Sequence, residues 1–269
     1  MNARRIATAL SLTGREFLRR RGMIALMVGI PVFGFVVIFL ALPQQPAALE
    51  AIENDVKVRV SLTQTELFGG LSVLTYVGLL AGVTGLYLMR SAMSADRRLM
   101  VAGYSPFELV SARVLLLLLI DAALSLFLVG LMLIFLTPRQ LPAFVLAIYW
   151  AAVIYSFYGG LIGVLVRNEL GGIIAVLFLA NIDVGYLEIP GYSTVLDEWF
   201  AVLLPGFFPT QLAIDAAFTS RLEKLWPSLW SIPHAGAVAG FMLLGYQRAT
   251  HIHAFLPEQR GRGRWRIAA

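Results

Sequence analysis

Six long apolar stretches, separated by short polar and charged segments, fill most of the chain. Each is close to the roughly 20 residues that a helix needs to cross about 30 Å of hydrocarbon. Inside a bilayer, backbone N–H and C=O groups must find partners within their own segment, so these stretches are predicted to be helices. We therefore expect an all-α membrane protein with six transmembrane helices. The predicted spans are residues 23–42, 67–89, 114–136, 143–166, 170–187 and 229–246.

The composition agrees with this pattern. Hydrophobic residues make up 59% of the 269 residues and the mean hydropathy is +0.79, whereas charged residues make up only 14%. A soluble domain would carry about 25% charged residues. We expect one membrane domain over residues 1–250 and a basic tail over residues 251–269. The absence of cysteine excludes disulfides, thiolate metal sites and cysteine nucleophiles.

The basic residues are distributed unevenly between the two sets of connecting segments. If the N-terminus is cytoplasmic, sixteen arginines face the cytoplasm and five basic residues face outward, out of 21 in total. Cytoplasmic loops are enriched in this way, so both termini are predicted to be cytoplasmic. The net charge of +5 is then an orientation signal, and we expect no nucleic-acid partner. The outward basic residues are Lys57, Arg59, Arg139, Arg221 and Lys224.

Residues 4–20 predict an amphipathic helix ahead of the first span. At about 100° per residue, its polar and apolar side chains fall on opposite stripes. This pattern is typical of a helix that lies in the membrane interface, with its apolar side chains in the acyl boundary. The polar stripe consists of Arg4, Thr8, Ser11, Arg15 and Arg19, and the apolar stripe of Ile6, Ala9, Leu10 and Phe17.

The segment between the second and third predicted spans has more local structure than a connector needs. Residues 95–102 predict two helical turns that stop at Gly103, since glycine takes the left-handed conformation without a steric penalty. Ser105, Pro106 and Glu108 then form a capping-box pattern for the next helix. We interpret the short helix as a partner-docking surface, because its exposed apolar pair is costly unless covered; a solvated connector is the alternative. The docking residues are Asp96, Arg97, Arg98, Leu99 and Met100.

Two other regions between the spans carry predictions. On the cytoplasmic side, a turn over residues 167–169 makes the fourth and fifth spans an antiparallel hairpin. On the outer side, residues 42–66 are interpreted as a polar loop, and residues 192–218 as an apolar helical hairpin that dips into the outer leaflet. Each arm of that hairpin is too short to cross. The turn residues are Arg167, Asn168 and Glu169, and the hairpin-breaking residues are Pro205, Gly206 and Pro209.

Residues with catalytic potential are sparse. Neither lysine, Lys57 or Lys224, follows a glycine, so there is no P-loop, and the zinc-protease and serine-hydrolase motifs are also absent. Asp121 and Asp183 lie within predicted spans, where a charge is costly. We expect Asp121 to form a structural ion pair with an arginine. Asp183, with Asn181 beside it, either lines a substrate pathway or caps a helix. Glycine pairs that predict close helix packing are Gly78/Gly82, Gly159/Gly163 and Gly236/Gly240.

The order of these features resembles the ABC-2 type permease subunits, the six-helix membrane halves of type V ABC exporters. Residues 4–20 resemble the family's amphipathic elbow helix. Residues 96–113 look like its charged coupling helix, followed by a G-x-S/T-P turn into the third span. Residues 166–169 are similar to its short second coupling turn, and residues 204–215 to its proline-containing outer re-entrant helices. The likeness covers nearly the whole chain, to about residue 250.

The resemblance implies an ATP-driven exporter in the cytoplasmic membrane. Two permease chains, identical or related, would pair above two separate ABC ATPase subunits, surrounded by membrane lipid. ATP and Mg would bind to the ATPases, so this chain would carry no cofactor and would not be an enzyme by itself. The coupling helix and second coupling turn would dock on the ATPases. The apolar spans suit an amphiphilic or hydrophobic substrate such as a lipid, drug, peptide or natural product.

Two other classes of protein stay open at this point. One is an integral-membrane enzyme that modifies lipid, with Asp121 and Asp183 as acid and base, although the two lie on different predicted helices at opposite depths. The other is a non-transporting scaffold or sensor. A scaffold would need no docking helix and would tolerate disruption of Leu99.

Overall fold

The computed structural model describes residues 3–53, 56–166, 168–186, 204–222 and 225–251, and most of these residues are helical. One two-stranded antiparallel sheet interrupts the helices near the N-terminal end. The elements in chain order are α1 (Ala3–Arg19), α2 (Arg21–Ala41), β1 (Pro46–Glu53), β2 (Val56–Thr63), α3 (Gln64–Val101), α4 (Pro106–Met132), α5 (Leu141–Leu165), α6 (Glu169–Tyr186), α7 (Phe207–Phe218), α8 (Leu225–Ser228) and α9 (Ser231–His251).

Four helices in the described ranges are long and apolar enough to cross a membrane. They are α2, α4, α5 and the first 28 residues of α3, Gln64–Ser91. The apolar stretch described in α6, Glu169–Ile182, is shorter, and α9 has 21 residues but does not reach the same hydropathy. The structure thus agrees with a helical membrane protein. The fifth and sixth predicted spans stay a prediction.

The segment predicted to be a polar outer loop contains the β-hairpin, so that interpretation of residues 42–66 is wrong. β1 pairs with β2 over their whole length, with Pro46 opposite Thr63 and Glu53 opposite Val56. From Val56 to Leu62 every second residue is Val or Leu and the others are polar. This period of two is that of a strand with one apolar face. The description all-α therefore needs this one correction.

Helices α3 and α5 cross with their backbones in direct contact. A Cβ atom at Gly159 would lie under 3.0 Å from the carbonyl oxygen of Gly82, and one at Gly85 would overlap the carbonyl oxygen of Ser156. A Cβ atom at Gly163 would likewise lie under 3.0 Å from the carbonyl oxygen of Leu86. Small residues allow such close approach between membrane helices. The prediction that Gly82 and Gly159 pack helices is confirmed, whereas Gly236 and Gly240 meet nothing within 4 Å.

Helix α3 is 38 residues long and continues to Val101. The docking segment is therefore the C-terminal end of α3 and not a separate short helix, because no glycine or proline interrupts residues 90–101. The helix stops where predicted: Gly103 has φ +90°, in the left-handed region. Ser105 and Glu108 form the predicted capping box at the start of α4.

The short helix α7 includes the second arm of the predicted outer hairpin, residues 209–218. The first arm, 192–204, lies outside the described residues except for Leu204, so the hairpin stays a prediction. Helix α7 has 12 residues and is mostly buried. The backbone N–H groups of Arg139 and Gln140, between α4 and α5, donate to the carbonyls of Ala217 (3.0 Å) and Ala216 (2.9 Å) at its C-terminal end. These bonds satisfy carbonyls that a helix end leaves free. Gly206 has φ −85° and ψ −10°, which any residue adopts.

The helices bring the connecting segments together in two groups. The β-hairpin, the α4–α5 connection and α7 lie at one end, where α7 contacts β1 as well as α5. Helix α1, the α3–α4 turn and the α5–α6 turn lie at the other end. The second group carries most of the arginines, so we call it the arginine-rich end.

Candidate functional site

Helix α1 packs along the start of α4 at the arginine-rich end. Ala9 is buried against Leu109 and Ala112, and Phe17 is buried beside Leu116. The apolar stripe of α1 therefore faces protein, which corrects the prediction that these side chains lie in the acyl boundary. All five residues of the polar stripe are exposed, as predicted.

Asp96, Arg113 and Tyr246 form a buried polar cluster that joins three helices. The Arg113 guanidinium, on α4, donates from Nη2 to Asp96 Oδ1 on α3 at 2.6 Å and from Nη1 to the carbonyl of Leu88 at 2.7 Å. The Tyr246 hydroxyl, on α9, donates to Asp96 Oδ2. The three residues are at most 3% exposed. This bonding satisfies both oxygens of a carboxylate that would otherwise be costly to bury.

This cluster changes the role expected of Asp96. Its carboxylate is 1% exposed and faces the interior, so it is not accessible to a docking partner in this structure. Arg113 and Tyr246 were not among the predicted site residues. A polar residue near the end of an apolar stretch is the signal that could have singled out Tyr246.

The other predicted docking residues differ in their exposure to solvent. Arg98 is exposed, whereas Leu99 and Met100 are partly buried against Ala9 and Leu109. The apolar pair is therefore covered in part by the chain's own α1, and no external partner is required for that purpose. Nothing is described of the Arg97 side chain.

A pocket of about 430 Å³ opens between α1, the end of α3 and the start of α4. It has both acidic and basic side chains in its wall, and the Asp96–Arg113 pair is among them. Its lining residues are Leu12, Thr13, Glu16, Asp96, Arg98, Leu99 and Arg113.

Two arginines, one near each end of α1, bind neighbouring segments at the arginine-rich end. Arg5 donates from Nη1 to the carbonyl of Gly103 at 2.8 Å and lies over the ring of Tyr104, so it holds α1 on the α3–α4 turn. Arg20 forms an ion pair with Glu16 and lies 4.5 Å from the ring centroid of Tyr87. These contacts link both ends of α1 to the body of the protein.

The predicted second coupling turn lies at the same end. Arg90 Nη1, on α3, donates to the carbonyl of Val166 at 2.9 Å. Asn168 accepts a bond from the backbone N–H of Leu170 at 3.2 Å and, like Glu169, is exposed. Arg167 lies outside the described residues. The turn is therefore tied to α3 about two helical turns before Asp96.

Asp121 does not form the predicted ion pair with an arginine. Its Oδ2 lies 2.8 Å from Ser156 Oγ on α5, and the side chain is fully buried at 0% exposure. The expectation failed because α5 places Ser156 against Asp121, and α5 contains no basic residue. Asn181, on α6, is exposed and donates to the carbonyl of Leu177 at 2.8 Å. Asp183 lies in the last turn of α6.

Helices α5 and α9 are joined by two further polar contacts. Trp150 Nε1 donates to Ser231 Oγ at 2.6 Å, and the Tyr158 hydroxyl lies 2.6 Å from His234 Nε2. His234 is therefore a partly buried polar residue that packs against α5. Among the described residues, no three His, Cys, Asp or Glu side chains are grouped so that they could hold a metal ion.

No protein-family model and no curated protein matches the chain.

Proposed function

We propose that the chain is the membrane-spanning permease subunit of an ATP-driven ABC exporter. The observation that carries the proposal is the buried cluster of Asp96, Arg113 and Tyr246, beside the exposed Arg98. A permease of this kind must receive a displacement from a separate ATPase. Helices α4 and α9 would follow the end of α3, because leaving them behind would strand a buried charge at a cost of several kcal/mol, about 3–5.

The proposed docking surface consists of exposed charged and polar residues. Arg98 at the end of α3 and the exposed Asn168 and Glu169 at the start of α6 would contact the ATPase. Leu99 and Met100 would act mainly by holding α1 against α3 and α4. Asp96 would transmit the displacement from inside the protein. Complementary charge would then require an acidic group on the ATPase opposite Arg98.

The apolar helices support the rest of the proposal. Helix α2 buries little of its surface, and Phe33 and Leu40 on it are more than 70% exposed. Such side chains suit contact with lipid tails or with a second permease chain. We propose six spans with both termini cytoplasmic, a dimer of permease chains, and an amphiphilic or hydrophobic substrate that takes a path beside Asn181 and Asp183. ATP and Mg would bind to the two ATPase subunits.

The alternative of a lipid-modifying enzyme receives less support. An acid and a base must both reach the substrate. Asp121 is fully enclosed between α4 and α5, whereas Asp183 is in the last turn of α6. A buried Asp121 has no access to a lipid carbonyl or phosphate in this arrangement. The alternative of a scaffold is distinguished from a permease by the experiment below.

The proposal is tested by purifying the tagged chain from membranes of its native host in a mild detergent. We expect a P-loop ATPase to co-purify in stoichiometric amount and to hydrolyse MgATP in the complex. Arg98→Glu should abolish this recovery, because it reverses the charge of the exposed docking residue without altering a described packing contact. Arg98→Lys, which keeps the charge, should retain most of it.

Ser61→Asp is the matched control, since it adds a negative charge to an exposed position at the opposite end of the molecule. It should leave recovery unchanged, and all three variants should unfold at the wild-type temperature. A scaffold would yield no ATPase with any of the chains. Equal recovery with Arg98→Glu and with the wild type would contradict the docking surface.

A further inference from the structure

Asp121 is a buried acidic group that the proposed permease mechanism does not use. It lies in the middle of α4 and is 0% exposed. The ion pairs within the described part of the chain are Arg5–Glu108, Arg20–Glu16 and Arg113–Asp96, and none includes it. A fully buried carboxylate without a cation is among the most costly arrangements in a protein interior.

The hydrogen bonds around Asp121 indicate which form of the carboxyl group is present. Ser156 Oγ lies 2.8 Å from Asp121 Oδ2 and 3.0 Å from the carbonyl oxygen of Val153. A serine hydroxyl has one hydrogen, so it donates to only one of them. If Asp121 were ionised, its two oxygens would share at most that one hydrogen, because Oδ1 has no partner in the described residues.

A proton on Oδ2 of Asp121 gives each hydrogen of the Asp121–Ser156 pair its own acceptor. The carboxyl O–H then donates to Ser156 Oγ, and the Ser156 hydroxyl donates to the carbonyl of Val153. Each hydrogen has an acceptor at a normal hydrogen-bond distance. Only the neutral carbonyl oxygen Oδ1 remains without a donor, which costs far less than an unpaired charge.

The two helices that meet at Asp121, α4 and α5, offer the carboxylate no cation. On α4, Ser125 is buried one turn away, and its Oγ has no hydrogen-bond partner among the described residues. Helix α5 contains no Lys, Arg or His. Ser156 is likewise uncharged. The one basic residue of α4, Arg113, is bound to Asp96 and to the carbonyl of Leu88, so neither helix offers Asp121 a basic partner.

We infer that Asp121 is a proton-binding site at the contact between α4 and α5, occupied at neutral pH, with Ser156 relaying its hydrogen bond to the backbone of α5. The ligand is a proton and not a metal ion. The site is independent of ATPase docking, which takes place at the arginine-rich end.

Infrared spectroscopy of the purified full-length chain at pH 7 tests this inference. We expect a carboxylic-acid C=O stretching band, well above the amide I band, that is lost in Asp121→Asn. The amide keeps the shape of the side chain and can donate to Ser156, so this variant should fold. Ser156→Ala should shift the band, because the acid loses its acceptor, whereas Thr65→Ala, a buried hydroxyl elsewhere in the bundle, should leave it in place.

Two results would overturn the inference. One is a difference spectrum between wild type and Asp121→Asn that contains carboxylate bands and no acid band. The other is an unfolding temperature that rises in Na⁺ relative to K⁺ or choline for the wild type and not for Asp121→Asn, since a metal ion would then replace the proton. Loss of the acid band in Asp121→Asn, with no such dependence on Na⁺, would support the proton site.

Discussion

Tyr246 donates to the carboxylate of Asp96, which lies 150 residues earlier in the chain. The hydroxyl is buried with the carboxylate, so water does not replace the bond when it is lost. A hydrogen bond to a charged group contributes about 1.5–3 kcal/mol, against about 1 kcal/mol for a neutral pair. At the scale of single residues, this bond fixes the last helix to the end of α3.

Tyr246→Phe should therefore lower the free energy of unfolding by about 1.5–3 kcal/mol, because one oxygen of a buried carboxylate loses its donor. Thermal or denaturant unfolding of the purified chain in detergent measures the change. Tyr104→Phe is the matched control at the same end, since the Tyr104 hydroxyl makes no hydrogen bond within the described ranges. Equal effects of the two substitutions would show that the Tyr246 bond contributes nothing specific.

Residue-level predictions succeeded where the interacting groups are close in sequence. The stop at Gly103 and the capping box of Ser105 and Glu108 involve neighbours within four positions, so local rules determine them. The partners of Asp121 and Tyr246 lie on distant helices. The residues of α4 before Asp121 are a nearly uniform apolar run, which does not show which face of the helix meets which neighbour. The partner of Asp121 therefore could not be predicted.

At the scale of elements, the backbones of α3 and α5 come into direct contact at glycine residues. Backbone carbonyls occupy the space where side chains would otherwise lie, on both sides of the crossing. Added atoms in such a contact force the helices apart, and overpacking costs about 1–3 kcal/mol or more. The glycines of the exposed face of α9 have no such constraint.

Gly159→Ala should lower the free energy of unfolding by at least about 1–3 kcal/mol, because its Cβ would overlap the carbonyl of Gly82. Gly236→Ala, in open space on α9, should be neutral or stabilising by up to about 1 kcal/mol, since alanine favours helix over glycine. Unfolding in detergent compares them. A Gly159→Ala variant as stable as Gly236→Ala would mean that the crossing is loose.

The β-hairpin and the length of α3 show what limits prediction of elements from sequence. The alternation after Val56 is short and lies between two long apolar stretches, which dominate any reading of hydropathy. Thr63 and Glu66 form a second capping box, at the start of α3, that local rules could have found. The end of α3, beyond its apolar part, packs against α1 and α4, and such contacts between distant segments are not visible in the local sequence.

At the scale of the whole molecule, the connecting segments are sorted into two ends. The arginine-rich end contains α1, the α3–α4 turn and the α5–α6 turn, and the other end contains the β-hairpin and α7. This sorting agrees with alternate crossings of a membrane. The charge distribution predicts that the arginine-rich end is cytoplasmic.

Single cysteines in this cysteine-free chain can test the orientation. An impermeant thiol reagent should label cysteines at the exposed positions Ser61 and Arg139 in intact cells. Cysteines at Val101 and Asn168, also exposed, should react only after the membrane is opened. Labelling at Val101 in intact cells, without labelling at Ser61, would invert the orientation and remove the docking surface from the cytoplasm.

The glycine crossing also restricts how the protein can move. Sliding α3 along α5 by one helical turn would drive side chains such as Leu86 into backbone atoms, so the two helices must travel as one stiff body. Helix α3 alone is about 57 Å long at 1.5 Å per residue. A small tilt applied to α3 at Arg98 would therefore also move the β-hairpin at the other end of this helix. Helix α2, which buries little of its surface, is then the helix most free to change its position around α3 and α5.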